Sequence, residues 1–341
     1  KRKNVSKQSW NRYWTLGSLA VIFVSAAAAM AIGRFTIAPK ELAAVLIPGS
    51  LPDVQVSGQG RKVISNIRFT RVVLALLSGA GLAAAGAAFQ GLFANPLATP
   101  DTLGAANGAS FGAVLGILLG LPAFGIQTLA MITGVAAVLM AWSVAQVRGT
   151  IPPLMVILAG MVVSSLFSAL VSLVKYAADP QDVLPSITYW LMGSMASTTR
   201  TTLIMGAPFI LAGSLLLFLL RWKLNTMSLP EDEAKSLGIP VKRIRSLVIL
   251  GAAMVTAAVV SMCGQIGWIG LLIPHMVRMI FGNDNRSVVP ASMASGALFM
   301  LIIDTAARSV MATEIPVSIL TSLIGAPCFI LLLRKTGGIR L

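Results

Sequence analysis

The sequence predicts an all-α polytopic membrane protein with about ten transmembrane helices, N-in/C-in. Three observations carry that reading. Hydrophobic residues make up 56% of the 341 positions and charged residues only 11%, where a soluble chain carries about 25% charged. Mean hydropathy is +0.86, as expected of a chain whose main solvent is lipid. Ten apolar runs recur, near 15–33, 72–94, 104–121, 124–147, 154–175, 202–221, 245–262, 265–281, 288–303 and 316–333. Most come close to the roughly 20 residues that carry a helix across hydrocarbon. The runs are continuous and not alternating, which excludes an outer-membrane barrel. Too few polar residues remain to coat a soluble second domain, so 1-341 reads as a single transmembrane domain.

In chain order, residues 1-14 form a basic, cytoplasmic N-terminus with Lys1, Arg2, Lys3, Lys7 and Arg12. The first run follows without an evident small-residue cleavage site, so it reads as a retained helix and not a signal peptide. The second run contains Gly79-Ala-Gly-Leu-Ala-Ala-Ala-Gly-Ala-Ala88. Small residues of this kind let helix backbones approach closely in lipid; they would also leave room beside a wide pathway. Asn95-Pro96, Arg148 to Pro153, Leu229 to Pro240, Gly282 to Arg286 and Arg308 to Pro316 punctuate the later runs. With alternating spans, 17 of the 26 basic residues fall inside and 9 outside, which favours both termini inside. The net charge of +15 is read as orientation and contact with anionic membrane lipid, not as nucleic-acid binding. Arg68 and Arg71, just before the second span on the outer side, are exceptions that need a reason.

Chemistry in the chain is sparse. G-x-x-x-x-G-K-[ST] is absent, as are H-E-x-x-H, paired C-x-x-C and G-x-S-x-G. Cys263 and Cys328 lie far apart in apolar runs and read as small buried hydrophobes. His275 is the sole histidine, so no metal cage is expected, and it reads first as a buried hydrogen-bonding side chain. No catalytic constellation is found. A proton-coupled secondary transporter, the alternative class, would line a path with intramembrane acids. Asp304 is the candidate, and it sits at a span end four residues from Arg308, which reads as a local ion pair.

The loop 226-240 is the most informative polar segment. Ser228 followed by Glu231 has capping-box spacing. Glu231, Asp232 and Glu233 crowd the positive end of the helix dipole. Gly238 and Pro240 then stop the helix. A helix of about nine residues, 229–237, is expected between two spans, as a plain connector or as a contact for a cytoplasmic partner.

Three blocks together resemble the FecCD-type permeases, the membrane subunits of ABC importers for iron-siderophores, haem and vitamin B12. They are Arg68-Phe-Thr-Arg71 with Gly86-Ala-Ala-Phe-Gln90, Asn95-Pro-Leu-Ala98, Pro100-Asp101 and Leu103-Gly104; Gly264-Gln-Ile-Gly-Trp-Ile-Gly-Leu-Leu-Ile-Pro-His-Met-Val-Arg278; and Asp304-Thr-Ala-Ala-Arg308 with Glu314-Ile-Pro316 and Gly325-Ala-Pro327. Trp268 stands where Phe is usual, and Ser318 where Gly is usual. Pro152-Pro153-Leu154 is bulkier than the small polar residues at that gate in the vitamin B12 permease. The resemblance implies a transport subunit of the cell inner membrane, not an enzyme, working as a homodimer or with a close paralogue. It implies two cytoplasmic ATPase subunits, which hold the ATP and Mg, and a periplasmic or lipid-anchored substrate-binding protein. It implies a cytoplasmic gate at Asn95, Pro96, Leu97, Pro153 and Leu154, and a coupling helix with Glu231, Asp232, Glu233, Ala234, Leu237 and Gly238. Arg68, Arg71 and Arg308 are implied to dock acidic residues of the binding protein. The expected cargo is a metal chelate, a ferric siderophore first, with haem, cobalamin and molybdate as alternatives.

Overall fold

In the computed structural model, residues 2–47, 53–54, 56–146, 152–229 and 231–335 are described, and among them no strand occurs. The helices are α1 (Arg2–Ala31), α2 (Pro39–Leu46), α3 (Gly58–Lys62), α4 (Phe69–Leu92), α5 (Ala105–Leu118), α6 (Ala123–Ala145) and α7 (Pro153–Ala177). They continue as α8 (Val183–Leu191), α9 (Arg200–Leu224), α10 (Glu231–Ser236), α11 (Val241–Cys263), α12 (Ile269–Phe281), α13 (Asn285–Ser309) and α14 (Val317–Lys335). Each of the ten apolar runs lies on one of these helices. Among the described residues, six stretches are long and apolar enough to cross a membrane, and four shorter apolar helices match the first, third, eighth and tenth runs. The chain is a multi-pass membrane protein.

α4 is the hub. Its first turns were hidden from the sequence reading: a π-helical segment, Val63–Arg68, joins α3 to α4 in one 35-residue stretch, Gly58–Leu92. Ser57 caps it by accepting from the Gly60 amide at 3.0 Å. The small residues of α4 serve packing. A Cβ on Gly79 would lie 2.2 Å from the Gly296 carbonyl oxygen of α13, and one on Gly86 would lie 1.8 Å from that of Gly270 on α12. Backbone meets backbone at both crossings, which only glycine permits. Gly81 likewise admits Val255 of α11 and Ile210 of α9.

α5 and α12 are half-length, 14 and 13 residues, or about 20 Å each. Both start near the middle of α4: Gly270 lies against Leu82 and Gly86 of α4 and against Pro100, which opens the 3-10 turn Pro100–Leu103 before α5. Pro100, Leu103 and Gly104 are buried there while Asp101 is exposed, and irregular backbone at membrane depth is tolerated where protein or water satisfies it.

The helix expected at 229–237 is shorter, Glu231–Ser236. Ser228 does not open it, because it ends a separate 3-10 turn, Thr226–Ser228. The stop at Gly238 is as expected: its φ is +73°. The Ile239 amide donates to the Ala234 carbonyl at 3.2 Å and the Gly238 amide to that of Lys235 at 2.9 Å, the paired bonds of a Schellman end.

Candidate functional site

Two polar clusters sit at the two ends of α4. Arg71 and Gln90 are 19 residues apart on it, so about 28 Å separates them along the axis, close to one hydrocarbon thickness.

At the N-terminal end, three guanidiniums meet two carboxylates. Arg71 Nε donates to Asp304 Oδ1 at 2.7 Å, and its Nη1 donates to Glu314 Oε1 at 2.8 Å. Arg308 Nε lies 3.5 Å from Asp304 Oδ2, so the expected i, i+4 pair is present. It is not a surface pair: Asp304 is fully buried, because α13 lays that side chain against α4. Arg308 also donates to the Ile32 carbonyl at 2.8 Å and to that of Ala29. Arg68 donates to the carbonyls of Met30 and Ala31 at 2.6 and 2.9 Å, and to that of Phe35. The carbonyls of residues 29–31 belong to the last turn of α1, which has no helical donors left to satisfy it. Arg68, Arg71 and Arg308 are 4%, 6% and 7% exposed. The arginines implied to dock a partner at the outer face are therefore largely buried: Arg68 and Arg308 close the end of α1, and Arg71 is tied to Asp304 and Glu314. Glu314 escaped the sequence reading as a site residue, although it stood in the Glu314-Ile-Pro316 motif.

At the C-terminal end of α4 lies the Asn95 turn. Asn95 Oδ1 accepts from the Leu97 amide at 2.9 Å, and the Asn95 carbonyl from Ala98 at 3.1 Å. Pro96 fits the second position of such a turn by its fixed φ. Ala94 takes φ +46°, a left-handed helix end filled by a non-glycine residue. Leu97 is exposed at 43% and Leu154, in the first turn of α7, at 66%. Pro153 opens α7, where its missing N–H costs nothing. The Pro100–Leu103 turn, which follows the Asn95 turn, packs on α7 at Gly160, and Gly104 packs at Ser164.

α10 packs on α11 and on the 3-10 turn before it. Asp232, Glu233, Lys235 and Leu237 are exposed, Leu237 at 64%, whereas Ala234 is buried at 1%. Ala234 was expected on the outer docking side; it faces the body of the protein instead.

A family model described as "FecCD transport family" matches residues 19–335. The chain belongs to the FecCD transport family. It is 39% identical to the molybdate import system permease protein MolB of Haemophilus influenzae, over 94% of this chain and 94% of that one. It is 37% identical to the cobalamin import system permease protein BtuC of Halobacterium salinarum, over 80% and 73% of the two chains. A solved metal-chelate-type ABC transporter in an inward-facing conformation superposes with a TM-score of 0.83 at 38% identity, covering 94% of this chain and 98% of that one. The FecCD chain is thus an ABC importer permease, a transport subunit and not itself an enzyme.

The departures of this FecCD permease from the usual pattern have local causes. Trp268 takes φ +71° at the start of α12. Its ring packs on Phe329 with centroids 6.3 Å apart, and a Cβ on Gly325 would lie 2.8 Å from it. Gly325 leaves room for the aromatic side chain at position 268. Ser318 hydrogen-bonds through its hydroxyl to the Met192 carbonyl, and the Val317 amide donates to Gly193 at 2.9 Å. The start of α14 is thereby sewn to the loop after α8. His275 is half-buried against Phe329 at 5.7 Å. Its Nε2 has no hydrogen-bond partner among the described residues, unlike the hydrogen-bonding role expected.

Proposed function

We propose that this permease imports a metal-bearing cargo, a ferric siderophore or a molybdate-type oxyanion, through the inner membrane by ATP-driven alternating access. The full-length similarity to MolB, at 39%, is the observation that carries the metal reading, and it favours the oxyanion beside the chelate expected from the sequence. The working unit is a dimer of this chain or of this chain with a close paralogue, with both termini on the cytoplasmic side. Two ATPase subunits engage α10, and a binding protein supplies cargo at the opposite end. The three guanidiniums there outnumber the two carboxylates, and the surplus positive charge helps steer an acidic partner. The exposed Leu97 and Leu154 form the cytoplasmic constriction. Nucleotide shifts the population between outward- and inward-facing states. The proton-coupled alternative loses support because Asp304 is committed to two guanidiniums.

The test uses the permease reconstituted with the ATPase and the binding protein encoded beside it. Elemental analysis of the binding protein should find iron or molybdenum, and liposomes should accumulate that element only when ATP is hydrolysed. Accumulation driven by a proton gradient without ATP would overturn the reading.

α10 offers a narrower test. Leu237→Asp replaces the exposed apolar residue just past the end of α10 by a charge without touching the buried Ala234. Stimulation of the ATPase by binding protein and cargo should fall at least about tenfold, the equivalent of 1.4 kcal/mol of coupling. Stimulation equal to wild type would reduce α10 to a connector.

A further inference from the structure

We infer that Asn225, Asn285, Arg278 and Gln90 form a hydrogen-bonded relay that hands movement of the α10 loop to the Asn95–Leu97 turn. The inference rests on the permease reading above and adds the residues that would carry its mechanical step.

The bonds run without a gap. Asn225 is the last residue before the 3-10 turn that leads into α10. Its Nδ2 donates to Asp284 Oδ1 at 2.7 Å, and its Oδ1 accepts from the Asn285 amide at 2.8 Å. The Asn285 side chain, buried at the first turn of α13, accepts from Arg278 Nη2 at 2.9 Å. Arg278 Nε donates to Gln90 Oε1 at 3.2 Å, and Nη2 also donates to the Ala87 carbonyl at 2.9 Å. Gln90 Nε2 donates back to the Leu271 carbonyl of α12 at 3.1 Å. The Gln90 carbonyl accepts from the Asn95 amide at 3.2 Å, and Asn95 holds Leu97. Residues from three distant stretches of chain, around Gln90, Asn225 and the α12–α13 junction, are thus joined between the loop before α10 and the turn after α4.

Two features suit this chain of bonds to movement and not to plain bracing. The first is the hub. Among the described residues, every acceptor of Arg278 is neutral: two amide side chains and the carbonyls of Ala87 and, at 3.5 Å, Asn283. A hydrogen bond from a charged donor is stronger than one between neutral groups, yet neutral acceptors can be exchanged without separating an ion pair at low dielectric. Arg71, at the other end of the same helix, is locked by two carboxylates instead. The second is Gly91. A Cβ there would lie 3.0 Å from both ends of the Asn285 amide; its absence lets that side chain lie against α4, beside Gln90. A shift of the start of α13 then moves Arg278 and the last turn of α4 together.

The four are positioning residues, so the test needs a readout that loss of stability alone does not move. In the permease–ATPase complex, a cysteine at Leu97 is labelled by a methanethiosulfonate reagent with and without ATP and vanadate. The label attached at Cys263 and Cys328 is measured in the parent and subtracted. The readout is the nucleotide-dependent change in labelling rate between the nucleotide-free complex and the vanadate-trapped complex, with trapping verified for each variant. Asn225→Ala and Arg278→Lys, which keeps the charge but loses the fork, should each lower it about tenfold, within the span of measured couplings between sites. The double variant should lose little more than either single, because a series is broken by one cut. Arg278→Lys should retain its change in thermal midpoint at the level of Asn225→Ala or below while failing to transmit. A normal nucleotide response at Leu97 in both single variants, or independent additive losses, would overturn the relay. If the parent complex itself shows no response at Leu97, the gate assignment fails instead.

Discussion

Asp304→Ala is expected to lower the unfolding free energy by about 3–5 kcal/mol, the usual cost of removing one partner from a buried ion pair. The carboxylate is fully buried between Arg71 Nε at 2.7 Å and Arg308 Nε at 3.5 Å. Without it, three guanidiniums share the single carboxylate of Glu314. Two of them, Arg71 and Arg308, would repel each other where water barely reaches. Denaturant or thermal unfolding in detergent measures the loss. The double change Arg71→Met with Asp304→Leu should recover only part of it, because it removes the central pair together but strips Glu314 of Arg71 and leaves Arg308 without Asp304. A loss below about 1 kcal/mol for the single change would mean that the pair behaves as a solvated surface bridge. Charge reversal at Arg68, Arg71 or Arg308 therefore cannot be read as a docking experiment alone, since each also removes an internal tie to α1, α13 or Glu314.

Gly86→Ala is expected to cost about 3 kcal/mol or more, at the upper end of overpacking penalties. The new Cβ would lie 1.8 Å from the Gly270 carbonyl oxygen and 2.7 Å from its Cα. Both are backbone atoms, so no flexible side chain can move aside, and α4 and α12 would have to separate. The gap would open at the start of the half-length α12 and beside Pro100. Gly17→Ala is the control: nothing lies within 4 Å of a Cβ there, and helix propensity alone favours alanine by up to about 1 kcal/mol. Folded yield and unfolding midpoints of the two variants should separate clearly. Equal midpoints would mean that the α4–α12 contact is loose.

Much of the architecture was legible because a membrane span is a local property. A run of apolar side chains long enough to cross hydrocarbon announces itself wherever its neighbours lie, and all ten runs became helices. α8 was missed for the converse reason: nine residues with one fully buried side chain, Ile187, carry too little pattern to stand out. The π-helical entry to α4 was missed because Gly58 to Arg68 is polar enough to read as loop. The Gly238 stop was legible because a left-handed end is chosen by one residue. The start of α10 was misplaced because Ser228 could cap equally well by spacing, and the 3-10 turn that engages it competes for the same residues.

By itself, the sequence determined the class of the molecule, the positions of its spans and, through motifs read in order, its family. Those depend on side-chain type and near-neighbour spacing. Only the tertiary structure decided what the polar residues do. Arg68 and Arg308 meet the carbonyls of α1 from more than 30 and 270 residues away, and no local pattern encodes such a contact. Ala234 turns inward while Leu237, three residues on, turns out; on a helix of under two turns, the face that is buried is set by α11 and not by α10. Gln90 and Arg278 stood in two separate motif blocks, and Asn285 and Asn225 looked ordinary. They became one connected group because four helix ends pack together, with Gly91 of α4 leaving room for the Asn285 side chain, so that their amides and guanidinium meet.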